Sequence, residues 1–224
     1  MTFSIVARCA RTGQFGIAAA TAMPAVGKLL THAAAGAGAV ATQARINPYL
    51  GIDGLKLLQQ GLAAQEVVDA LGKQDPRMDL RQVAVVDGHG RAAVHTGRRC
   101  PDWAGHLTGE NYAIQGNRIT GREVPERARD ALSRDAELSL ARRLMNALKA
   151  GDSEGGDRKG EFSATIYVVD TEEYPLWDIR VDQHPRPLEE LERLFDIFTV
   201  EVVPQIKRMP SRAHPAGEAG EEVA

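Results

Sequence analysis

The chain has 224 residues, enough for one large domain or two small ones, and enough to bury a proper core. Its 43% hydrophobic and 25% charged residues, with a net charge of -3, are those of an ordinary soluble globular protein. Acidic and basic residues alternate along it, so there is no basic stripe to neutralise a phosphate backbone, and a 5% aromatic share supplies no base-stacking platform. Nucleic acid is excluded as a partner on these grounds. No apolar run approaches the length of a membrane span, so no membrane association is expected. The opening Met1-Thr2-Phe3-Ser4-Ile5-Val6-Ala7-Arg8 lacks the basic n-region and long apolar stretch of a secretory signal. Cys9 and Cys100 do not form a metal-type CxxC pair. A reduced, cytoplasmic protein is therefore expected, with a single disulfide as the lesser alternative.

In chain order, Phe3, Ile5 and Ala7 alternate with Thr2, Ser4, Val6 and Arg8, which predicts a strand. The turn chemistry of Arg11-Thr12-Gly13-Gln14 and the run Phe15 to Ala20 complete a hairpin. A strand follows at Ala39 to Gln43. Ile52, Leu55, Leu58 and Leu62 mark one helix, and Val67, Val68 and Leu71 a second. Strand character returns at Gln82 to Val86, turns at Asp87-Gly88-His89-Gly90, and resumes from Arg91 to His95. A short strand, Tyr112 to Gln115, ends at Gly116-Asn117. From Val124 to Ala150 the pattern is helical, with Pro125 placed well for a helix start. The glycine-rich loop Gly151 to Gly160 breaks it, and strands follow at Ser163 to Asp170 and Leu176 to Val181. A last helix begins near Pro187, with Glu189 and Glu190 in its first turn.

Groups of strands separated by helix pairs suit two antiparallel sheets stacked face to face with helices on both outer faces. The fold class expected is thus α+β, a four-layer αββα sandwich, in one domain over residues 1–208. A doubly wound parallel sheet would need βα units in steady alternation. The remaining residues, 209–224, are rich in Ala, Gly, Pro and Glu and are expected to form a disordered tail.

Thr2 leads the candidate chemistry. Initiator methionine is normally trimmed before a small residue, which leaves a hydroxyl and a free α-amine on one residue at the start of a strand. An α-amine has a reference pKa of about 7.7–8.0, so part of it is neutral near pH 7 and can take the hydroxyl proton during attack on an acyl carbon. Proteins that begin Met-Thr for no catalytic reason are far commoner, and a retained Met1 would block this chemistry. Asn117 is the preferred oxyanion donor among the amides Gln43, Asn47, Gln115 and Asn117 at strand ends and turns; an ordinary turn residue is the competing reading. In the glycine-rich loop, Asp157 can accept from the α-ammonium of Thr2, and Arg158 can pair a substrate carboxylate, unless the two only stabilise the loop. Lys28 reads as a solvated lysine, although proteasome-like proteins use a lysine to activate their nucleophile. His95 and His106 lack metal-ligand spacing, Gly36-Ala37-Gly38 opens no dinucleotide fingerprint, and neither metal nor organic cofactor is expected.

The run Thr2-Phe3-Ser4-Ile5-Val6-Ala7-Arg8 resembles the opening of the DUF1028 family, uncharacterised proteins with a fold like that of the N-terminal-nucleophile (Ntn) hydrolases. The likeness continues through Gly38-Ala39-Val40-Ala41-Thr42-Gln43 with Asn47-Pro48, then Thr96-Gly97, Cys100, Trp103-Ala104-Gly105-His106 and Gln115-Gly116-Asn117. It closes with Gly155-Gly156-Asp157-Arg158, Gly160, Ser163-Ala164, Asp178 to Asp182 and His184-Pro185. Two positions depart from the family pattern: Phe162 stands where a glutamine is usual, and Cys9 where an acid is usual. The resemblance implies an Ntn-hydrolase-like sandwich, and with it an N-terminal-threonine hydrolase of a small amide-type bond. The alternative from another class is a catalytically silent fold that binds a small molecule or a protein. A homo-oligomer is the default expectation.

Overall fold

The computed structural model describes residues 2–155 and 160–218. Its first hairpin is β1 (Thr2–Arg8) and β2 (Phe15–Thr21), followed by a short helix α1 (Gly27–Leu30) and the strands β3 (Thr31–Ala34) and β4 (Gly38–Ala44). Helices α2 (Pro48–Gln59) and α3 (Ala64–Gln74) lead to β5 (Arg81–Asp87), β6 (Ala92–Thr96), β7 (Ala104–Gly109) and β8 (Tyr112–Asn117). Then come α4 (Glu123–Ser133), α5 (Leu140–Asp152), β9 (Ser163–Val169), β10 (Pro175–Val181), α6 (Pro187–Ile197) and α7 (Val203–Ile206).

The strands form two sheets, six-stranded in the order β10-β9-β2-β1-β8-β7 and four-stranded in the order β3-β4-β5-β6. Every pairing is antiparallel. The alternation along β1 sorts its side chains between two cores. Phe3, Ile5 and Ala7 pack outward with residues of α4, α5 and α6, while Val6 joins Ile17, Ala19, Ala39, Ala41, Ala84 and Val86 between the sheets. A third core joins the outer face of the four-stranded sheet to α2 and α3. The expected four-layer αββα sandwich is what the chain adopts. Both faces of β2 are covered, so it reads as a nearly unbroken small and apolar run rather than an alternation. Alanines on the facing strands let the sheets approach closely.

Several elements differ from the sequence reading. α1, β3 and β7 were not expected: β3 is four residues long, and β7 is an edge strand whose Gly105, His106 and Thr108 carry no apolar alternation. The helical stretch 124–150 is, as expected, a helix pair: α4 ends at Ser133, and Ser139 starts α5 by accepting from the Arg142 N–H at 3.3 Å. The described residues of the tail, 209–218, lie beside the segment that precedes β10 and the residues that follow α7. There the Tyr174 hydroxyl donates to Pro210 O at 3.0 Å and Glu218 N donates to Arg208 O at 2.9 Å.

Two buried aspartates tie the helices to the four-stranded sheet. Asp87, at the end of β5, accepts from Ala64 N at the start of α3 (3.0 Å), from His89 N (2.9 Å) and from Arg91 Nε (2.7 Å). Burial alone would raise its pKa, but these donors outweigh it and hold the carboxyl below its ordinary value. Asp75 is held low in the same way, against its burial, by Asn47, the Arg77 N–H and Arg81. A carboxyl depressed in the folded state contributes stability above its unfolded pKa, about 3.9, and loses it as pH falls through the folded value. Urea midpoints should therefore fall as the pH drops below about 4, and Asp87→Asn should flatten that fall while costing about 1–3 kcal/mol at pH 7. Identical acid profiles for the two proteins would show that Asp87 carries none of the effect.

Candidate active site

Antiparallel pairing gathers one set of strand ends at one end of the sandwich. Thr2 opens β1 opposite Asn117, the last residue of β8, and Thr21 ends β2 opposite Ser163, the first of β9. On the other sheet, Gln43 and Ala44 end β4 opposite Gln82 and Arg81 at the start of β5. The inward positions of these strand ends are polar, unlike the alanines and valines further along. Thr2, Ser4 and Thr21 face Gln43 and Gln82 across the gap, with Gln115 and Asn117 beside them.

Hydrogen bonds connect this group. Thr2 is half-buried, and its Oγ1 lies 3.2 Å from Thr21 Oγ1. Gln43 Nε2 crosses between the sheets to donate to the backbone oxygen of Thr2 (3.1 Å) and to Gln82 Oε1 (3.0 Å), and Gln43 Oε1 accepts from Ser4 Oγ at 2.6 Å. Asn117 Nδ2 also donates to Gln82 Oε1, at 2.9 Å. At its other end Gln82 Nε2 donates to Gly116 O (2.8 Å), Thr96 Oγ1 (3.1 Å) and Gly105 O (3.3 Å). Gln115 lies one layer deeper, where its Nε2 donates to Ala41 O and Ser4 Oγ. Its Oε1 is buried and has no partner among the described residues.

The backbone is strained beside this group. Ala44 (φ 67°), next after Gln43, and Arg118 (φ 57°), next after Asn117, both take the left-handed conformation, as does Ala25 (φ 58°) in the loop after β2. For non-glycine residues this costs about 1 kcal/mol or more each and persists where surrounding structure fixes it. The effect is to turn the chain sharply aside as soon as each amide has been placed.

Of the residues singled out from the sequence, Thr2, Gln43 and Asn117 meet here, and Gln115 adjoins them. Asn117 is 2% exposed and turned into the network. Asn47 stands apart: its Oδ1 caps α2 by accepting from Tyr49 N at 3.2 Å, and its Nδ2 donates to Asp75 at 2.8 Å. Asp157 and Arg158 lie outside the described residues. Lys28 is on the exposed side of α1. Phe162 is 37% exposed, with its N–H donating to Thr21 O at 2.8 Å, so this departure from the family pattern sits directly beside Thr21.

The sequence reading missed Ser4, Thr21, Thr96 and above all Gln82, which is fully buried. A signal for Gln82 existed: it shares the inward face of β5 with Ala84 and Val86, where a polar residue needs a polar partner. Cys9 is buried, Cys100 is half-buried, and both are free thiols. Among the described residues, no three His, Cys, Asp or Glu side chains group to hold a metal ion, and no helix is long and apolar enough to cross a membrane.

Two antiparallel sheets stacked between helix layers define an α+β protein of the four-layer αββα sandwich class. The model of DUF1028, a family of unknown function, matches residues 2–191, and the chain belongs to that family. The crystal structure of the DUF1028 protein SPO2555 from Silicibacter pomeroyi is similar at a TM-score of 0.88 and 29% identity, over 96% of this chain and 98% of that one. Anbu, an ancestral β-subunit from Yersinia bercovieri, matches at a TM-score of 0.41 and 12% identity, over 91% of this chain and 97% of its own. No curated protein matches the chain.

Proposed function

We propose that the protein is an amide hydrolase whose nucleophile is Thr2, unmasked by removal of Met1. The reading rests on one observation: a half-buried threonine opens a central strand at one end of the sandwich, with its carbonyl held by Gln43 from the opposite sheet. A nucleophile at a chain terminus needs such fixing, because a frayed first residue cannot hold its oxygen within reach of an acyl carbon. The neutral α-amine of Thr2 takes the Oγ1 proton, directly or through a water, as the oxygen attacks. The proton passes to the departing nitrogen, and the acyl ester on Thr2 is then hydrolysed by water. Asn117 Nδ2 has a second N–H beyond the one given to Gln82, and this N–H is the donor proposed for the oxyanion. The substrate class is a small-molecule amide.

A second reading has its own support. Gln43, Gln82 and Asn117 satisfy one another, which is also what a silent, ligand-binding sandwich would use to hold its sheets together. Intact mass spectrometry of the native protein, before and after a panel of electrophilic amides and lactones, separates the two. The hydrolase reading expects a mass lacking Met1 and a single acyl adduct localised to Thr2. A chain that retains Met1, or one that stays unlabelled across the panel, supports the silent fold.

A further inference from the structure

We propose that Gln82 is the positioning residue that holds Thr2 in its reactive place, an inference that builds on the reading of Thr2 as nucleophile. Gln82 is 0% exposed, and its carboxamide contacts both flanks of Thr2. On one flank lies β8, the strand paired with β1. Gln82 accepts from Asn117, which pairs with Thr2, and donates to the backbone oxygen of Gly116. On the other flank, Gln82 Oε1 accepts from Gln43 Nε2, the same nitrogen that donates to Thr2 O.

The chemistry of the amide group explains why the hub matters. Gln43 could present either its oxygen or its nitrogen to Thr2, and only the nitrogen can satisfy a carbonyl. Two contacts decide this. Ser4 Oγ donates to Gln43 Oε1, and Gln82 Oε1 takes one Gln43 N–H, which leaves the other N–H for Thr2 O. Gln82 is itself oriented from its far end, where Gly116 O, Gly105 O and Thr96 Oγ1 accept its two N–H groups. Reversing Gln82 would bring oxygen against carbonyl oxygens, so one orientation persists and is passed on to Gln43 and then to Thr2. The sheets would be held together by any well-packed apolar residue here; this orientation would not.

The test pairs Gln82→Met with Gln82→Glu and reads Thr2 directly through the NMR resonance of its backbone carbonyl carbon, alongside the rate of acyl labelling. Methionine accepts and donates no strong hydrogen bond, so the Thr2 carbonyl signal should move and broaden, and labelling should slow by about tenfold to a hundredfold. Glutamate separates the two ends of the amide. When ionised it still accepts from Gln43 and Asn117 but donates to nothing; when protonated it has a C=O and an O–H in the glutamine pattern. Burial raises such a carboxyl above its ordinary value of about 4.3. In Gln82→Glu the Thr2 signal should therefore return toward its wild-type position as the pH falls through that titration, a step additional to the α-amine titration that both proteins share. A residue that merely glued the sheets would show no such titration at Thr2. A Thr2 carbonyl signal unchanged in both variants overturns the inference, whatever the labelling shows. If the wild type takes no label, the hydrolase reading fails, and the carbonyl signal alone decides whether Gln82 clamps Thr2. Should Gln82→Met prove poorly folded, the titration in Gln82→Glu decides the matter.

Discussion

Thr2→Ala should abolish the acyl adduct, with labelling falling by at least about 10³-fold, because the substitution removes the oxygen that forms the covalent bond. The fold should survive: one hydroxyl and one methyl are lost from a half-buried position, and the change in stability should stay within about 1 kcal/mol. The backbone carbonyl that accepts from Gln43 remains in the variant, so the strand keeps its register. Thr2→Ser sharpens the comparison. It keeps the nucleophile but loses the β-methyl that restricts rotation about χ1, and it should label more slowly than the wild type without falling to the alanine level. Labelling of Thr2→Ala at the wild-type rate would place any reactive group elsewhere and end the assignment.

Phe3→Ala should destabilise the protein by about 3–5 kcal/mol, the usual range for truncating a buried aromatic ring. Phe3 is 1% exposed on the helix side of β1 and shares a core with Ile119, Val124 and Leu148. Its fit is close. A Cβ built on Gly151 of α5 would lie 2.7 Å from the Phe3 ring, so the glycine is what lets helix and ring approach. For a chain of this length, such a loss lowers the melting temperature by roughly 10 °C. The substitution also tests the site, because Phe3 anchors the strand immediately behind Thr2. Without the ring, the first residues of β1 should exchange their amide hydrogens faster, and Thr2 should acylate more slowly. A melting temperature within about 2 °C of wild type would mean that the neighbouring side chains collapse into the space, contrary to the close packing seen here.

Much of the architecture is legible in the residues. The alternation in β1, the turn at Arg11-Thr12-Gly13-Gln14, and the apolar spacing in α3 and α6 each report a local period that the backbone follows, whereas α2 ends before Leu62 and leaves Ile52 exposed. Elements without a period were lost. β7 is paired only with β8 in its sheet, so its His106 and Thr108 need not be apolar, and β3 is too short to repeat.

The candidate site divides in the same way. Thr2, Gln43, Gln115 and Asn117 could be selected because each is a polar residue at or near the end of an apolar strand, and the family motifs pass through them. Asn47 fits the same description yet serves as a helix cap, with its amide given to Asp75. Whether an amide at a strand end turns toward a neighbouring sheet or back to its own helix depends on what lies opposite.

What the chain determined by itself is direction. A period of two assigns Thr2, Ser4 and Val6 to one face of β1, and Gln82, Ala84 and Val86 to one face of β5, since successive side chains on a strand point opposite ways. What only the tertiary structure decided is partnership. Gln82 meets Gln43, 39 positions away, because β4 pairs with β5 in that register, and Asn117, 35 positions away, because the two sheets stack with these strand ends aligned. No local period encodes that alignment. It is set by how the alanines and valines of the two inner faces pack, and the polar cluster at Thr2 comes together as a result.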